Sequence, residues 1–362
     1  MDRRTFMTCC GAVAAMGAGA SPTDRRKPKV PAIHVTDLYR PAIDPDDHWD
    51  LACVYALAAR GDIDLKAVVI DFLPKDKPVE PDIAAVAQMN HITGMAVPVV
   101  VGSPNPYRSV ADVGNRDARA SLAILDILRD SRQPVTIHVT GCARDVAMAG
   151  LIAPDVFADK CRAVYLNAGV GSPDPKEAAR FEYNVSLDPA AYAAMFKLPC
   201  PVRWLPCFER MSQSGQVLEY GSYWRFRQKD ILDDLPVSVQ NYFASMFAHR
   251  LDHKWLSALL APRDDATLQR EREGMRNMWC TAALLDMAGY AVDSDGKLIP
   301  QAADTSGGVF GFAPVRVECS NAGVTTWSRD DKAPRHFLFH VRDPAAYETA
   351  MTRAMKTILA AL

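Results

Sequence analysis

Residues 44–47 (Asp-Pro-Asp-Asp) place three carboxylates within four positions near the start of the chain. A short apolar segment at residues 32–36 precedes them and is typical of a strand. Residues 51–58 carry apolar side chains at helical spacing and predict a helix. We therefore expect the acidic cluster where a strand passes into a helix. In an open α/β fold, such junctions lie at the carboxyl edge of the sheet, where ligand sites gather.

Two interpretations of this acidic cluster remain open. Three like charges at close range repel each other unless a cation or solvent compensates them, and clusters of hard oxygen ligands suit Ca²⁺ or Mg²⁺. The same residues could instead form a solvated helix N-terminus, because Asp caps helices and favours the positive end of the helix dipole. The first interpretation predicts a metal-assisted site and the second predicts only a helix start.

The elements that would position this cluster alternate between strand and helix patterns. Short and nearly continuous apolar runs predict parallel strands buried on both faces, at residues 65–72, 97–101, 135–140, 163–166 and 202–205. Helical patterns lie between them, at residues 83–92, 118–128, 145–151 and 190–196. This alternation predicts an α/β fold with a mainly parallel sheet flanked by helices. His138, within one of these strands, is predicted to be a hydrogen-bonded core residue.

The remainder of the chain does not follow this alternation of strands and helices. Residues 208–264 are rich in aromatic side chains and mostly helical in pattern. We interpret them as a helical insertion, either a lid over the sheet edge or a subdomain with an aromatic core. A β-rich C-terminal part follows, with strands expected at residues 308–318 and 335–341 and a closing amphipathic helix at 347–362. Residues 30–362 would thus form one domain.

Composition narrows the function classes. The chain of 362 residues has 49% hydrophobic and 23% charged residues and a net charge of −2, so nothing indicates binding to nucleic acid or to an anionic membrane. No apolar stretch is long enough to predict a membrane span. The cysteines after residue 29 are scattered and form no C-x-x-C pair, which argues against a disulfide scaffold or a zinc knuckle. One disulfide, between Cys200 and Cys207, stays open.

The N-terminus has the features of an export signal. Arg3 and Arg4 are followed by an aromatic residue, and residues 9–20 are small, apolar and uncharged, ending in Ala-Gly-Ala. This pattern is typical of a bacterial twin-arginine signal peptide with a cleavage site. Residues 1–29 are therefore interpreted as a signal peptide and linker, and the protein is expected in the periplasm or outside the cell. The alternative is an irregular cytosolic N-terminus.

Four stretches, in this order along the chain, resemble motifs of the inosine–uridine nucleoside hydrolase family. Thr36-Asp37, a loop and residues 44–47 are similar to the opening D-x-D-P-G-x-D-D. Residues 141–145 (G-C-A-R-D) weakly match G-P-L-T-N. Residues 164–169 (V-Y-L-N-A-G) are similar to a strand that ends in I-M-G-G. Residues 182–190 (E-Y-N-V-S-L-D-P-A) match E-F-N followed by D-P-x-A.

The resemblance implies hydrolysis of an N-ribosyl bond by a metal-activated water. A Ca²⁺ ion held by aspartates would bind two ribose hydroxyls and the water, and a neighbouring carboxylate would take the proton of that water. Asp46 and Asp47 match the family's aspartate pair, with Asp44 as a further metal ligand. Asp37 matches an earlier aspartate of the family and is either a metal ligand or the catalytic base, and Asp44 is a further candidate for either role. A second alignment, ranked lower, uses Asp44, Asp46 and Asp50 and puts a leucine where a metal-binding aspartate belongs.

Four residues are expected to bind the substrate. Glu182 and Asn184 alternate along a segment expected to be extended, so both would face one side and hold a ribose hydroxyl. The alternative is a solvated Glu182 and an Asn184 that shapes a turn. Asn167, in the stretch that resembles I-M-G-G, is also expected to bind the substrate. Trp279 would stack on the base or line the pocket, unless it is a buried core residue.

Three departures from the family pattern bear on the function. The glycine of the opening motif is missing, and residues 71–74 (D-F-L-P) replace an expected glycine-asparagine pair. Residues 278–282 (M-W-C-T-A) contain no carboxylate where the family has His-Asp-Pro, whose aspartate completes the metal shell. The main hypothesis is an exported Ca²⁺-dependent nucleoside or glycoside hydrolase, as a homo-oligomer by analogy with the family. The alternative is a catalytically impaired homologue that binds a sugar or nucleoside.

A pair of histidines on another predicted helix could contribute to a zinc site. His249 and His253 lie four positions apart, which can place two imidazoles on one helix face. No third ligand is evident and the H-E-x-x-H pattern is absent, so the sequence does not favour this site.

Overall fold

Apolar runs rich in valine and isoleucine form most strands of the central sheet, which has nine strands among the described residues. The computed structural model describes residues 29–39, 46–71, 78–107, 118–212, 215–248, 254–301, 303, 305–333 and 335–362. The strands are β1 (Val30–Thr36), β2 (Ile63–Ile70), β3 (Val99–Val101), β4 (Val135–Val139), β5 (Cys161–Asn167), β6 (Val202–Leu205), β7 (Trp224–Arg227), β8 (Met275–Met278), β9 (Tyr290–Val292), β10 (Leu298–Pro300), β11 (Phe310–Cys319), β12 (Thr325–Arg329) and β13 (His336–Val341).

Helices cover the sheet and connect its strands. They are α1 (Asp46–Arg60), α2 (Glu80–Thr93), α3 (Arg119–Asp130), α4 (Arg144–Ile152), α5 (Pro154–Lys160), α6 (Pro175–Ala178), α7 (Tyr183–Leu187), α8 (Pro189–Met195), α9 (Lys229–Leu232), α10 (Val237–Phe247), α11 (Trp255–Leu260), α12 (Asp265–Glu271), α13 (Thr281–Met287) and α14 (Pro344–Leu359). Within the described residues, no helix combines the length and apolar character needed to cross a bilayer.

The predicted α/β fold with a mainly parallel sheet is confirmed. Strands β1 to β6 pair in parallel, β13 adds in parallel to β6, and β11 and β12 extend the sheet in antiparallel fashion. After β3, the chain crosses back to place β4 on the other side of β1. This reversal leaves a crevice at the carboxyl ends of β1 and β4, which is where ligands bind in open α/β sheets.

Aromatic residues from the region interpreted as an insertion pack on helix α1. Trp49, which is fully buried, stacks on Phe243 at 4.0 Å between ring centroids and meets Phe226 edge-on at 5.0 Å. The Tyr242 hydroxyl donates to the backbone oxygen of His48 at 3.1 Å. These contacts fix the first turns of α1, whereas movement of residues 208–264 as a lid stays a prediction.

The cysteines are small buried residues rather than crosslinks. The seven cysteines of the described residues are free thiols, and six of them are buried. The disulfide left open between Cys200 and Cys207 is therefore not formed.

Two histidines lie side by side in the middle of the sheet. Opposed positions on β1 and β4 bring His34 Nδ1 to 3.1 Å from His138 Nδ1, with the rings stacked at 5.2 Å between centroids. Burial lowers the pKa of both imidazoles, that of His138 to about 3. Both rings are therefore neutral at pH 7, and one must donate its proton to the other. The prediction that His138 is a hydrogen-bonded core residue is confirmed.

This pair predicts a loss of stability in acid. The unfolded chain protonates each histidine below a pKa of about 6.5, while the folded chain does so only near the lowered values. The free energy of unfolding should therefore fall as the pH decreases from about 6.5 towards 3, by up to about 1.4 kcal/mol per pH unit for each histidine. Urea unfolding over a pH series measures this slope.

The His138→Gln variant should show a shallower loss in this range, because it removes one of the two protonation sites. His91→Gln, which changes an exposed histidine of α2, serves as the control and should keep the wild-type slope. Equal slopes in all three proteins would contradict the assignment.

Candidate functional site

The carboxyl ends of β1 and β4 border a cavity of about 260 Å³, near the lower end of the range for small-molecule sites. Its lining brings together six of the residues predicted from the sequence, namely Asp37, Asp46, Asp47, Glu182, Asn184 and Trp279. The residues that line it are Asp37, Asp46, Asp47, Thr140, Glu182, Tyr183, Asn184, Cys207, Phe208, Met211, Trp279 and Cys280. Asp44, His249 and His253 lie outside the described residues. The predicted convergence of early aspartates with residues 182 and 184 is thus present in the geometry.

The first turn of α1 supplies a cluster of potential metal ligands. Asp47 and Asp50 lie three positions apart on α1 and therefore share a helix face. One carboxylate oxygen of each, with the Cys280 sulfur, lies within 4.8 Å of the others, and all three side chains are buried. Among the predicted metal ligands, Asp47 belongs to this group, whereas Asp46 lines the cavity outside it. From the sequence, Asp50 is a ligand in the lower-ranked alignment and a substitute for the missing C-terminal aspartate, whereas Cys280 was missed.

The environment of this cluster disfavours two negative charges without a cation. Burial raises the pKa of the Asp50 carboxyl well above its ordinary value, and the charge of Asp47 raises it further. Burial also raises the pKa of the Cys280 thiol, and Asp50 and Asp47 add to that effect. Within the described part of the chain, Asp47 Oδ1 and Asp50 Oδ2 have no hydrogen-bond partner. Buried polar atoms without partners are costly and call for an explanation, and a divalent cation would satisfy both oxygens.

The donor set of the cluster can be compared with what calcium requires. Ca²⁺ takes six to eight oxygen ligands, whereas the cluster offers two carboxylates and one sulfur. The sulfur is a poor calcium ligand, so these three residues alone suit a divalent metal that accepts a thiolate better than they suit calcium. The sequence signals were present: Asp50 follows Asp47 at helical spacing, and Cys280 lies where the resembled family has an aspartate.

A second pair of carboxylates approaches the cavity at the end of β4. A Cβ atom placed on Gly141 would lie 2.6 Å from Asp71 Oδ2 and 3.0 Å from Asp37 Cγ. Both side chains therefore converge on the backbone at this glycine, which leaves no room for a larger residue. Asp71 is fully buried at the carboxyl end of β2, where the family has a glycine-asparagine pair. Its place directly after a parallel strand was the signal that could have nominated it.

Glu182 and Asn184 reach the cavity through a helix start rather than an extended segment. The predicted extended segment is wrong, because residues 183–187 form α7 with Glu182 as its N-cap. Glu182 Oε1 accepts from the Asn184 backbone at 2.9 Å, and Oε2 accepts from the Gly169 backbone at 2.8 Å. Burial raises the pKa of Glu182, and these backbone bonds oppose the shift. The side-chain amide of Asn184 donates to Thr140 O at 2.7 Å, which ties α7 to the end of β4.

Trp279 lines the cavity, whereas Asn167, which was also predicted to bind the substrate, is not among the lining residues. Asn167 is fully buried, and its side-chain amide donates to Trp279 O at 3.3 Å while its oxygen lies 3.3 Å from His138 Nε2. Its side chain thus positions the backbone of Trp279 from behind. The Trp279 ring lines the cavity and meets Phe208 edge-on at 5.7 Å. This placement agrees with the predicted pocket-lining role of Trp279.

A buried ion pair fixes the loops beneath α7. Arg144 Nε donates to Asp188 Oδ2 at 2.9 Å, and both side chains are only 3% exposed. Arg144 Nη1 also donates to Ser103 O at 2.9 Å, and Asp188 Oδ1 accepts from the Ala191 backbone as the N-cap of α8. The pair therefore joins the stretch that resembles G-P-L-T-N to the one that resembles D-P-x-A.

Arg144→Met should destabilise the protein strongly, because it leaves the buried Asp188 carboxylate without its cationic partner. We expect a loss of about 3–5 kcal/mol in the free energy of unfolding, measured by urea denaturation at pH 7. The control is Arg129→Met, which breaks an exposed pair with Asp126 and should cost at most about 1 kcal/mol. Losses of similar size in the two variants would argue against a structural role for the buried pair.

Comparisons with known proteins bear on the fold alone. Searches of protein-family models and of curated proteins find no match to the chain. Among solved structures, it is similar to a purine-preferring ribonucleoside hydrolase from Gardnerella vaginalis, with 16% identity, a TM-score of 0.52 and coverage of 91% of this chain and 99% of the other. An inosine-guanosine nucleoside hydrolase matches with 15% identity, a TM-score of 0.51 and coverage of 91% and 98%. The type III effector protein XopQ matches with 16% identity, a TM-score of 0.51 and coverage of 92% and 94%. The chain therefore has a nucleoside hydrolase-like fold.

Proposed function

We propose that this protein is an exported, metal-dependent hydrolase that cleaves the N-glycosidic bond of a ribonucleoside or a related glycoside. The observation that carries the proposal is one cavity at the chain reversal of the sheet. Asp37, Asp46 and Asp47 line it together with Glu182 and Asn184. Carboxylates and an amide around one small cavity suit a polyhydroxylated sugar and an attacking water.

Asp37 is the proposed general base. It follows β1 directly, is only 5% exposed and lines the cavity, so its carboxylate can take the proton of a water that attacks the anomeric carbon. Asp44 was the other candidate base from the sequence and remains a proposal. The nearby carboxylates would stabilise the positive charge of an oxocarbenium-like transition state. A divalent cation bound at the acidic cluster would lower the pKa of a coordinated water and fix its position.

The opposite wall suits the sugar and its leaving group. Asn184, held by its bonds to the end of β4, would contact a sugar hydroxyl, and Glu182 contributes the negative charge of a buried carboxyl. The Trp279 ring offers an apolar edge and face for a planar base. The solved neighbours are named for purine and for inosine-guanosine nucleosides, so we propose purine nucleosides as the first substrates to test.

Three parts of the proposal rest on the sequence. Residues 1–28 lie outside the described residues, so twin-arginine export to the periplasm or medium remains a proposal. The homo-oligomer is suggested only by the resembled family. Calcium is expected from the acidic cluster at residues 44–47 and from that family, whereas the sulfur of Cys280 favours a different ion.

The direct test is sugar release from a panel of nucleosides, followed by a reducing-sugar assay with and without chelator. Wild-type protein should turn over at least one ribonucleoside, and chelation should abolish the activity. Asp37→Asn should lower kcat by about 10²–10⁴-fold, the usual contribution of a general base. Asp126→Asn, an exposed substitution on α3, is the matched control and should keep wild-type kcat.

One outcome would favour the alternative of a binding protein. The absence of a carboxylate at residues 278–282 is the observation behind this alternative. This outcome requires two results: no nucleoside is hydrolysed while metal is bound, and calorimetry shows that ribose or a nucleoside binds. The protein would then bind a sugar without cleaving it.

A further inference from the structure

We propose that Asp47, Asp50 and Cys280 bind a thiolate-accepting divalent metal, such as Zn²⁺, rather than calcium. The inference deepens the proposed function, since it names the ion of the same cavity. The inference assumes that the metal acts in this cavity, as the proposed function states, but it does not depend on which substrate binds there.

The geometry brings three ligand atoms from two elements to one point. Asp47 and Asp50 come from the first turns of α1, and Cys280 is the N-cap residue of α13. One oxygen from each aspartate and the cysteine sulfur lie within 4.8 Å of one another. The three residues are 4%, 0% and 2% exposed, in that order. Three atoms at such separations can ligate one ion after small rotamer adjustments, since metal–ligand bonds are about 2.0–2.3 Å long.

An independent observation points to a ligand at this place. By hydrogen-bond geometry within the described ranges, Asp47 Oδ1 and Asp50 Oδ2 are buried atoms without a partner. The Cys280 thiol, the proposed third ligand, lies close enough to Asp50 to oppose the rise in the pKa of that carboxyl. The other oxygen of Asp50 is engaged, because Thr281 Oγ1 donates to Asp50 Oδ1 at 3.4 Å. That long contact favours one orientation of the Asp50 carboxylate, which is the role of outer-shell partners in metal sites. The free oxygen of Asp50 is thereby left for an ion.

The donor types decide which ion is favoured. Sulfur is a soft ligand that selects zinc and other late transition metals, whereas calcium binds hard oxygens. Catalytic zinc sites have three protein ligands and keep one position open. Asp47 and Cys280 line the cavity, while Asp50 lies behind it. The open position of a bound metal would therefore face the cavity in which a water and a sugar can meet.

The test is a titration of the metal-free full chain with Co²⁺, monitored by absorption. A thiolate-to-cobalt charge-transfer band should appear at one equivalent, and Zn²⁺ should abolish it while excess Ca²⁺ does not. Cys280→Ser should lose the band and weaken Zn²⁺ binding by more than about 100-fold, since loss of an outer-shell partner alone costs 10–100-fold. Cys207→Ser changes the other thiol that lines the cavity and should keep the band.

The Cys280→Asp variant should bind Ca²⁺ more tightly than Zn²⁺, because all three protein ligands would then be carboxylate oxygens. A wild-type protein without the thiolate band that binds Ca²⁺ more tightly than Zn²⁺ would overturn the inference. If the Cys280 variants fail to fold, the wild-type Co²⁺ spectrum with its Zn²⁺ and Ca²⁺ competition decides alone. A thiolate band without nucleoside turnover would refute the proposed function and leave this inference standing. Nucleoside turnover that depends on Ca²⁺, in a protein without the thiolate band, would support the proposed function and refute this inference.

Discussion

The repulsion between two buried carboxylates one helical turn apart is the constraint on which the site depends. If both Asp47 and Asp50 are ionised, with oxygens up to 4.8 Å apart, the repulsion is about 3 kcal/mol at an effective dielectric constant of 20. That is a large share of the 5–15 kcal/mol by which a folded protein is typically stable. A proton or a cation must offset it. The cavity beside Asp47, the cysteine opposite and the unpartnered oxygens favour the cation.

The packing around α1 explains why these charges stay in place. Trp49 lies at the end of the first turn of α1 and packs between Phe226 and Phe243. Burial of these three rings stabilises the fold by several kcal/mol in total. Helix α1 also packs against α13, and this contact brings Cys280 to the acidic turn. Opposite, the Arg144–Asp188 pair and the N-cap Glu182 set the position of α7. The cavity therefore has well-packed elements on both sides.

The sequence was sufficient to predict the α/β fold and the acidic residues at the strand ends, but not the residues that meet them through helix packing. Apolar runs such as residues 135–139 are buried on both faces, and that pattern predicts parallel strands directly. Asp37, Asp47 and Glu182 could be nominated because each lies at a strand end or helix start. Asp50 and Cys280 could not be weighted correctly, because their meeting depends on how α13 packs on α1, and no local pattern encodes that contact. The helix at residues 183–187 was missed because its N-cap, Glu182, is held partly by a distant contact. Its carboxylate accepts hydrogen bonds from the backbone N–H of Gly169 as well as from those of Asn184 and Val185.

The most direct measurement is anomalous diffraction from crystals of the zinc-loaded protein, recorded on both sides of the zinc absorption edge. The account predicts a single strong anomalous peak bonded to one oxygen of Asp47, one oxygen of Asp50 and the sulfur of Cys280, next to the cavity that Asp37 lines. A peak held by other side chains, or a calcium ion surrounded only by oxygens in that cavity, would contradict it.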